Sequence, residues 1–279
     1  MPSGALVLGA IASVQLGAAV ATTLFGRIGP GGTVFERLGF GSLILLAVWR
    51  PRLRERRRGE VLQAAVFGLV LAAMNLSFYE ALQRIPLGIA VALEFVGPLT
   101  VALLGSRRPR DLVWVAFAAA GILVLTSPGG HSLDGLGVAL ALLAGCFWGA
   151  YIVLNARLGL LFPGVTGLTL GMCVGAVAVA PLGLAEGGGQ LFSAEALLLG
   201  GAVGVLSSVI PYSFEVEALR RIAPPVFGVL MSLEPAVAAL AGFVVVGQRI
   251  SLRLVIGIAL VVLASVGATR RGGEVPMAV

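Results

Sequence analysis

Almost the whole chain divides into apolar runs of hydrocarbon length, and that property alone removes the soluble folds from consideration. A helix needs about 20 mostly apolar residues to cross a bilayer. Ten such runs are read, over approximately 5–25, 33–49, 61–82, 86–105, 112–127, 135–155, 165–185, 195–217, 224–246 and 252–269. The connections are short and several carry Gly or Pro, as in Gly29-Pro30-Gly31-Gly32 and Ser127-Pro128-Gly129-Gly130. Only 11% of the 279 residues are charged, where a soluble domain carries about 25%. The predicted class is all-α, a polytopic membrane protein of ten transmembrane helices.

The charges that remain are placed between the runs. A net charge of +6 raises nucleic-acid binding as a possibility, but the arginines fall in connections and not along one face, so no nucleic-acid partner is expected. If the N-terminus is cytoplasmic, the inner connections hold fourteen arginines: Arg50, Arg52, Arg54, Arg56, Arg57, Arg58, Arg107, Arg108, Arg110, Arg157, Arg220, Arg221, Arg270 and Arg271. The outer side receives four, Arg27, Arg84, Arg249 and Arg253. This asymmetry follows the positive-inside rule and predicts both termini in the cytoplasm. The Arg50–Arg58 cluster is read as that topology signal, with anionic-lipid binding as the alternative. The first run lacks a basic n-region before it and reads as a retained helix. Cys146 and Cys173 lie inside apolar runs and read as small buried hydrophobes.

Two glutamates lie near the middle of these runs, Glu94 in Leu93-Glu94-Phe95-Val96-Gly97-Pro98 and Glu234 in Leu233-Glu234-Pro235. A carboxylate at bilayer depth costs a few kcal/mol or more and is rarely idle. Each precedes a proline. Pro98 frees the carbonyl of Glu94, Pro235 that of Met231 and Pro211 that of Ser207, because proline has no N–H to offer the residue four before it. The functional reading is that Glu94 and Glu234 bind an ammonium group or carry a proton. The plain reading is two protonated side chains bonded to kinked backbone.

An internal repeat links the pair. Glu80-Ala81-Leu82-Gln83-Arg84-Ile85-Pro86 matches Glu217-Ala218-Leu219-Arg220-Arg221-Ile222-Ala223-Pro224, and the buried glutamate follows the first Glu by 14 residues in one half and 17 in the other. The match aligns runs three and four with eight and nine, so the unit is five helices, over 1–130 and 131–279. An odd unit must insert in opposite orientations, which is the inverted-repeat plan of many secondary transporters.

Other polar residues share helix faces within the runs: Gln15 in run one, Asn75 and Tyr79 in three, Trp148 and Tyr151 in six, and Ser207, Ser208 and Tyr212 in eight. They either glue helices together or line a shared cavity. Arg37 lies near the outer end of run two beside Glu36; an ion pair or a snorkelling anchor is slightly favoured over a clamp for a substrate carboxylate. Glu80, Glu215 and Glu217 read as interfacial, Glu215 being the deepest. Gly17, Gly68, Gly145, Gly149 and Gly171 are expected to permit close helix contact. Sparse Trp and Tyr weigh against bulky aromatic substrates.

An intramembrane enzyme is disfavoured. His131 is the single histidine and lies in an outer connection, and both aspartates, Asp111 and Asp134, lie in connections. No zinc, Ser-His, aspartyl-dyad or phosphate-loop pattern appears, so no cofactor or metal is expected. A channel would show rings of repeated pore charges, which are missing.

The segment Pro86-Leu87-Gly88-Ile89-Ala90-Val91-Ala92-Leu93-Glu94-Phe95-Val96-Gly97-Pro98 with Ser106-Arg107-Arg108-Pro109, together with Pro211-Tyr212-Ser213-Phe214-Glu215 and Phe227-Gly228-Val229-Leu230-Met231-Ser232-Leu233-Glu234-Pro235-Ala236, resembles the bacterial threonine/homoserine exporters. These belong to the EamA group of the drug/metabolite transporter superfamily. The resemblance covers nearly the whole chain. It implies an inner-membrane exporter of small neutral amino acids, driven by the proton-motive force. Export of another metabolite or drug of that superfamily is the alternative. The expected partners are an amino acid, protons and membrane lipids, and oligomeric state is left open.

Overall fold

A 47-residue helix opens the structure, α1 (Ser3–Trp49), interrupted only at Gly29. Run straight, it would extend about 70 Å, more than twice the hydrocarbon core of about 30 Å. It does not run straight. Gly17 packs on Ser207 and Gly41 on Ser208, so two positions equidistant from Gly29 meet neighbouring residues of one turn. The chain therefore folds back at Gly29, whose φ of 69° and ψ of 169° are open essentially to glycine alone. The connection expected over Gly29-Pro30-Gly31-Gly32 is shorter than its sequence implies. Pro30 starts the second arm, where its missing N–H is harmless. The N–H of Gly31 donates to Glu186 Oε2 at 2.7 Å.

The computed structural model describes residues 3–49, 57–104, 112–126, 133–162, 164–219, 221 and 224–271, and every regular element among them is helical. The arginines at 50, 52, 54, 56, 107, 108, 110 and 220, Asp111, His131 and the Ser127-Pro128-Gly129-Gly130 connection lie outside the described residues. After α1 come α2 (Arg58–Leu82), α3 (Leu87–Glu94), α4 (Val96–Leu104), α5 (Leu112–Thr126), α6 (Gly135–Leu161) and α7 (Thr166–Gly187). A 3-10 turn at Gly188–Phe192 leads to α8 (Ala194–Gly204), a π-helical turn at Val205–Val209, α9 (Ile210–Leu219), α10 (Pro224–Met231), α11 (Glu234–Val246) and α12 (Leu252–Arg271). Six helical stretches among the described residues are long and apolar enough to cross a membrane, with shorter apolar helices at Leu87–Val101, Leu112–Thr126 and Leu252–Gly267.

Polarity is inverted relative to a soluble protein. Leu160 is 88% exposed and Leu104 80%, whereas Gln15, Arg37, Asn75, Glu94 and Glu234 are buried. An apolar exterior belongs in lipid, so the helices present leucines outward and collect polar groups inside.

Glycines set the close approaches between helices. The second arm of α1 lies on α7 through Gly31, Gly41, Gly175 and Gly183, and on α8 through Gly200 and Gly204. The first arm meets the π turn at Gly17 and α9 at Gly9. Helix α2 meets α7 where Gly68 faces Gly171, the α3–α4 break lies on Gly145 of α6, and α5 crosses α12 at Gly121 and Gly257. Small residues are what let helix backbones approach in a bilayer, where apolar burial alone supplies no attraction. Cys146 departs from expectation. It is exposed, because α6 turns the adjacent Gly145 inward; Cys173 is half-buried, and both are free.

The two matched segments make the same local pair. Glu80 bonds Arg84 at 2.5 Å, and Glu217 bonds Arg221, each across one helical turn. Their charges are satisfied at helix ends and take no part in the interior.

Candidate functional site

Helix breaks build the site. Pro98 cannot donate to the Glu94 carbonyl, and α3 accordingly stops at Glu94 while α4 starts at Val96. The freed carbonyl does not face open space. It points at Gly145 of α6, whose lack of a side chain admits it. In the second half the break falls at Ser232-Leu233, and Glu234 becomes the first residue of α11. Ser232 is held by Ser265 of α12 at 2.7 Å. The third break is the π turn before α9, a feature that often marks functional positions. There Pro211 frees the Ser207 carbonyl, and Arg37 Nη2 donates to it at 3.2 Å.

These breaks surround one cavity of about 490 Å³, within the range of small-molecule sites. Gln15, Arg37, Asn75, Glu94, Trp148, Tyr151, Ser207, Tyr212 and Glu234 all line it. Tyr79 does not. It is fully buried behind Arg37, accepts from Arg37 Nη1 at 3.2 Å, and lies with its ring 5.6 Å from the guanidinium carbon. Tyr79 thus positions Arg37 without bordering the space.

Arg37 is the clearest correction. The ion pair or interfacial anchor favoured from sequence does not form. Arg37 is 7% exposed and turned into the cavity, while Glu36, one residue away and rotated by about 100°, packs against Gly200 of α8. No hydrogen bond reaches either Glu36 carboxylate oxygen.

Gln15 Nε2 donates to Glu234 Oε1 at 3.0 Å, bringing the first arm of α1 onto α11. Glu234 Oε2, Gln15 Oε1, Arg37 Nε and Ser207 Oγ have no hydrogen-bond partner. Asn75 donates to the Leu71 carbonyl on its own helix at 2.7 Å. Trp148 stands edge-on to Phe95 at 5.3 Å and 84°.

Glu215 was placed at the interface on sequence grounds, yet it lines the cavity with Asn155, Ser265, Phe227 and Met231. The π turn supplies the reason, because an extra residue rotates α9 and carries Glu215 inward. Aromatic residues are few in the sequence but gather here: Trp148, Tyr151, Tyr212, Phe78, Phe95 and Phe227 all border the space.

The charge balance defines what the cavity can do. Three carboxyls, Glu94, Glu215 and Glu234, face it with one guanidinium, Arg37. Ionised together they leave two uncompensated negative charges in a low-dielectric space, which is costly. Protons or a cationic group neutralise them. Arg37 offers donors to an anionic group in the same space. A zwitterion meets both requirements. No cluster of His, Cys, Asp and Glu that could hold a metal occurs among the described residues.

Residues 135–270 match the model of the EamA-like transporter family. The chain is 40% identical over 266 residues to the threonine/homoserine exporter RhtA of Salmonella typhimurium strain LT2, covering 95% of this chain and 90% of that protein. The same values hold for the RhtA of Escherichia coli K12. The uncharacterized inner membrane transporter YedA of Escherichia coli K12 is 27% identical over 212 residues, 68% of this chain and 65% of that protein. A solved crystal structure at 19% identity superposes with a TM-score of 0.64, covering 94% of this chain and 95% of the other, which is a likeness of fold.

Proposed function

The chain belongs to the EamA-like transporter family, being a transporter and not an enzyme, and from that membership and the cavity we propose that it exports small neutral amino acids of the threonine and homoserine kind across the bacterial inner membrane, driven by the proton-motive force. One observation carries the reading: the Arg37 guanidinium and the carboxyls of Glu94 and Glu234 border one cavity. Arg37 takes the substrate carboxylate, and Glu94 and Glu234 take its ammonium group or the proton that exchanges with it. Gln15, Asn75, Trp148, Tyr151, Ser207 and Tyr212 shape the space. Tyr79 holds Arg37.

The architecture in this reading is ten spans in two inverted five-helix repeats, 1–130 and 131–279, with both termini cytoplasmic. The kink at Gly29 counts α1 as two spans, and α3–α4, α8–α9 and α10–α11 count as one each. Two pairs of helix contacts correspond under exchange of the halves, which supports the repeat. The contact of α2 with α7 corresponds to that of α8 with the second arm of α1, and α6 on the α3–α4 break to the first arm of α1 on α11. Alternating access comes from rocking one repeat against the other.

Inside-out vesicles test this directly, because export appears there as uptake. Labelled threonine or homoserine should accumulate saturably with a proton gradient and stop accumulating when the gradient is collapsed. Gradient-insensitive uptake rejects proton drive, and no saturable uptake of either rejects the substrate. A second reading, export of a larger metabolite of the same superfamily, draws on the cavity's volume and its aromatic walls.

A further inference from the structure

Beside the cavity lies a second, smaller chamber of about 170 Å³ beneath the α6–α7 turn. Its walls are otherwise apolar or backbone, from Leu158, Val165, Leu168 and the glycines at 159, 164 and 167. Its polar lining consists of four residues, Tyr151, Asn155, Tyr212 and Glu215, and all four also border the large cavity. They form the partition between the two spaces.

The partition has a simple construction. Tyr151 and Asn155 are one turn apart on α6, and Tyr212 and Glu215 one turn apart on α9, so two helices each present a phenol and a second polar group on one face. Both phenols border both spaces, so their rings stand between the two. Two rings, one from each helix, narrow the way between the spaces. A carboxyl stands on the same wall, and among the described residues no basic side chain borders the small chamber. A cation there has one destination.

We infer that the Tyr151–Tyr212 pair is a gate, and that Glu215 with Asn155 forms a loading subsite for the ammonium group of a substrate passing between this chamber and the central cavity. The inference rests on the transport reading above and adds a route and a cation preference to it. In the proposed orientation the α6–α7 turn is cytoplasmic, so the small chamber is where an exported cation-bearing substrate would load. Glu215 and Glu234 both border the central cavity, which gives the ammonium group a next position once the gate opens.

The test reads the route without requiring transport. In full-length protein carrying Cys146→Ala and Cys173→Ala, Met231→Cys places one thiol in the central cavity. Inside-out vesicles are then exposed to membrane-impermeant cationic and uncharged methanethiosulfonates of similar size. The cationic reagent should react faster by roughly tenfold, the scale on which a local charge focuses its counter-ion. Adding Glu215→Gln should bring the two rates within about twofold of each other, on the same electrostatic ground. Adding Tyr151→Ala or Tyr212→Ala removes one ring from the partition, and should speed both reagents while leaving their ratio intact. A ratio untouched by Glu215→Gln, or rates unchanged or slowed by Tyr151→Ala and Tyr212→Ala, overturns the inference. Equal elution of all variants in size-exclusion chromatography confirms that each is folded. Protection of the thiol by threonine is scored separately: its absence, with the gate pattern intact, sinks the substrate and spares the route.

Discussion

Arg37 Nη2 donates at 3.2 Å to the carbonyl of Ser207, to which Pro211, four residues on, has no N–H to offer. A defect written into one helix is thereby filled by a side chain from another. The same guanidinium reaches Tyr79 through Nη1, so two of its donors are committed and its direction into the cavity is set. Two donors in a fixed fork are what lysine lacks.

Arg37→Lys is therefore expected to fold less stably and to bind poorly. Leaving the buried Ser207 carbonyl unpaired costs about 1–3 kcal/mol, seen as a lowered unfolding temperature in detergent. In transport, KM for threonine should rise about tenfold or more, the signature of lost substrate binding. Threoninamide, which lacks the carboxylate, should distinguish wild type from variant much less.

The two central glutamates should separate binding from drive. Glu234 is held by Gln15, whereas no hydrogen bond holds the Glu94 carboxyl among the described residues. Glutamine keeps the shape of a protonated glutamate and cannot release a proton. Glu94→Gln is expected to abolish gradient-driven accumulation in inside-out vesicles while leaving threonine counterflow measurable. Gradient-driven accumulation at the wild-type level would remove Glu94 from proton exchange.

The glycine seam at the first break should tolerate no added methyl. A Cβ at Gly145 would lie 2.6 Å from the Glu94 carbonyl oxygen, and one at Gly97 would collide with the Gly145 carbonyl. Overpacking of this kind costs about 1–3 kcal/mol, so Gly145→Ala should lower the unfolding temperature by several degrees. Gly39→Ala is the control, since nothing lies within 4 Å of that position; helix propensity there predicts a small gain, up to about 1 kcal/mol.

The α1 turn should depend on Gly29 and Glu186 together. Any side chain at Gly29 forces an L-residue into a region it rarely enters, at about 1–3 kcal/mol. Glu186 supplies from α7 the acceptor and negative charge that the start of the second arm needs, a contribution of about 1 kcal/mol for a capping group. Gly29→Ala should therefore lower thermal stability more than Glu186→Ala, and high salt should narrow the effect of the second.

Properties acting within about four residues could be read along the chain. Run lengths forced a helical membrane protein, and each of Pro98, Pro211 and Pro235 announced the carbonyl it would release. The buried glutamates and the polar residues of the α1 start, α2 and α6 stood out by their cost in lipid. Local chemistry says that a group is left unsatisfied, but it does not say what arrives to satisfy it. Long-range packing assigned the Glu94 carbonyl to the bare backbone of Gly145, the Ser207 carbonyl to Arg37, and the Gly31 N–H to Glu186. It also turned Glu215 inward through a π turn with no plain sequence signature, and pointed Arg37 away from its neighbour Glu36. In each case the partner lies on a different helix, more than 50 residues away, and only the docking of those helices brings the two together.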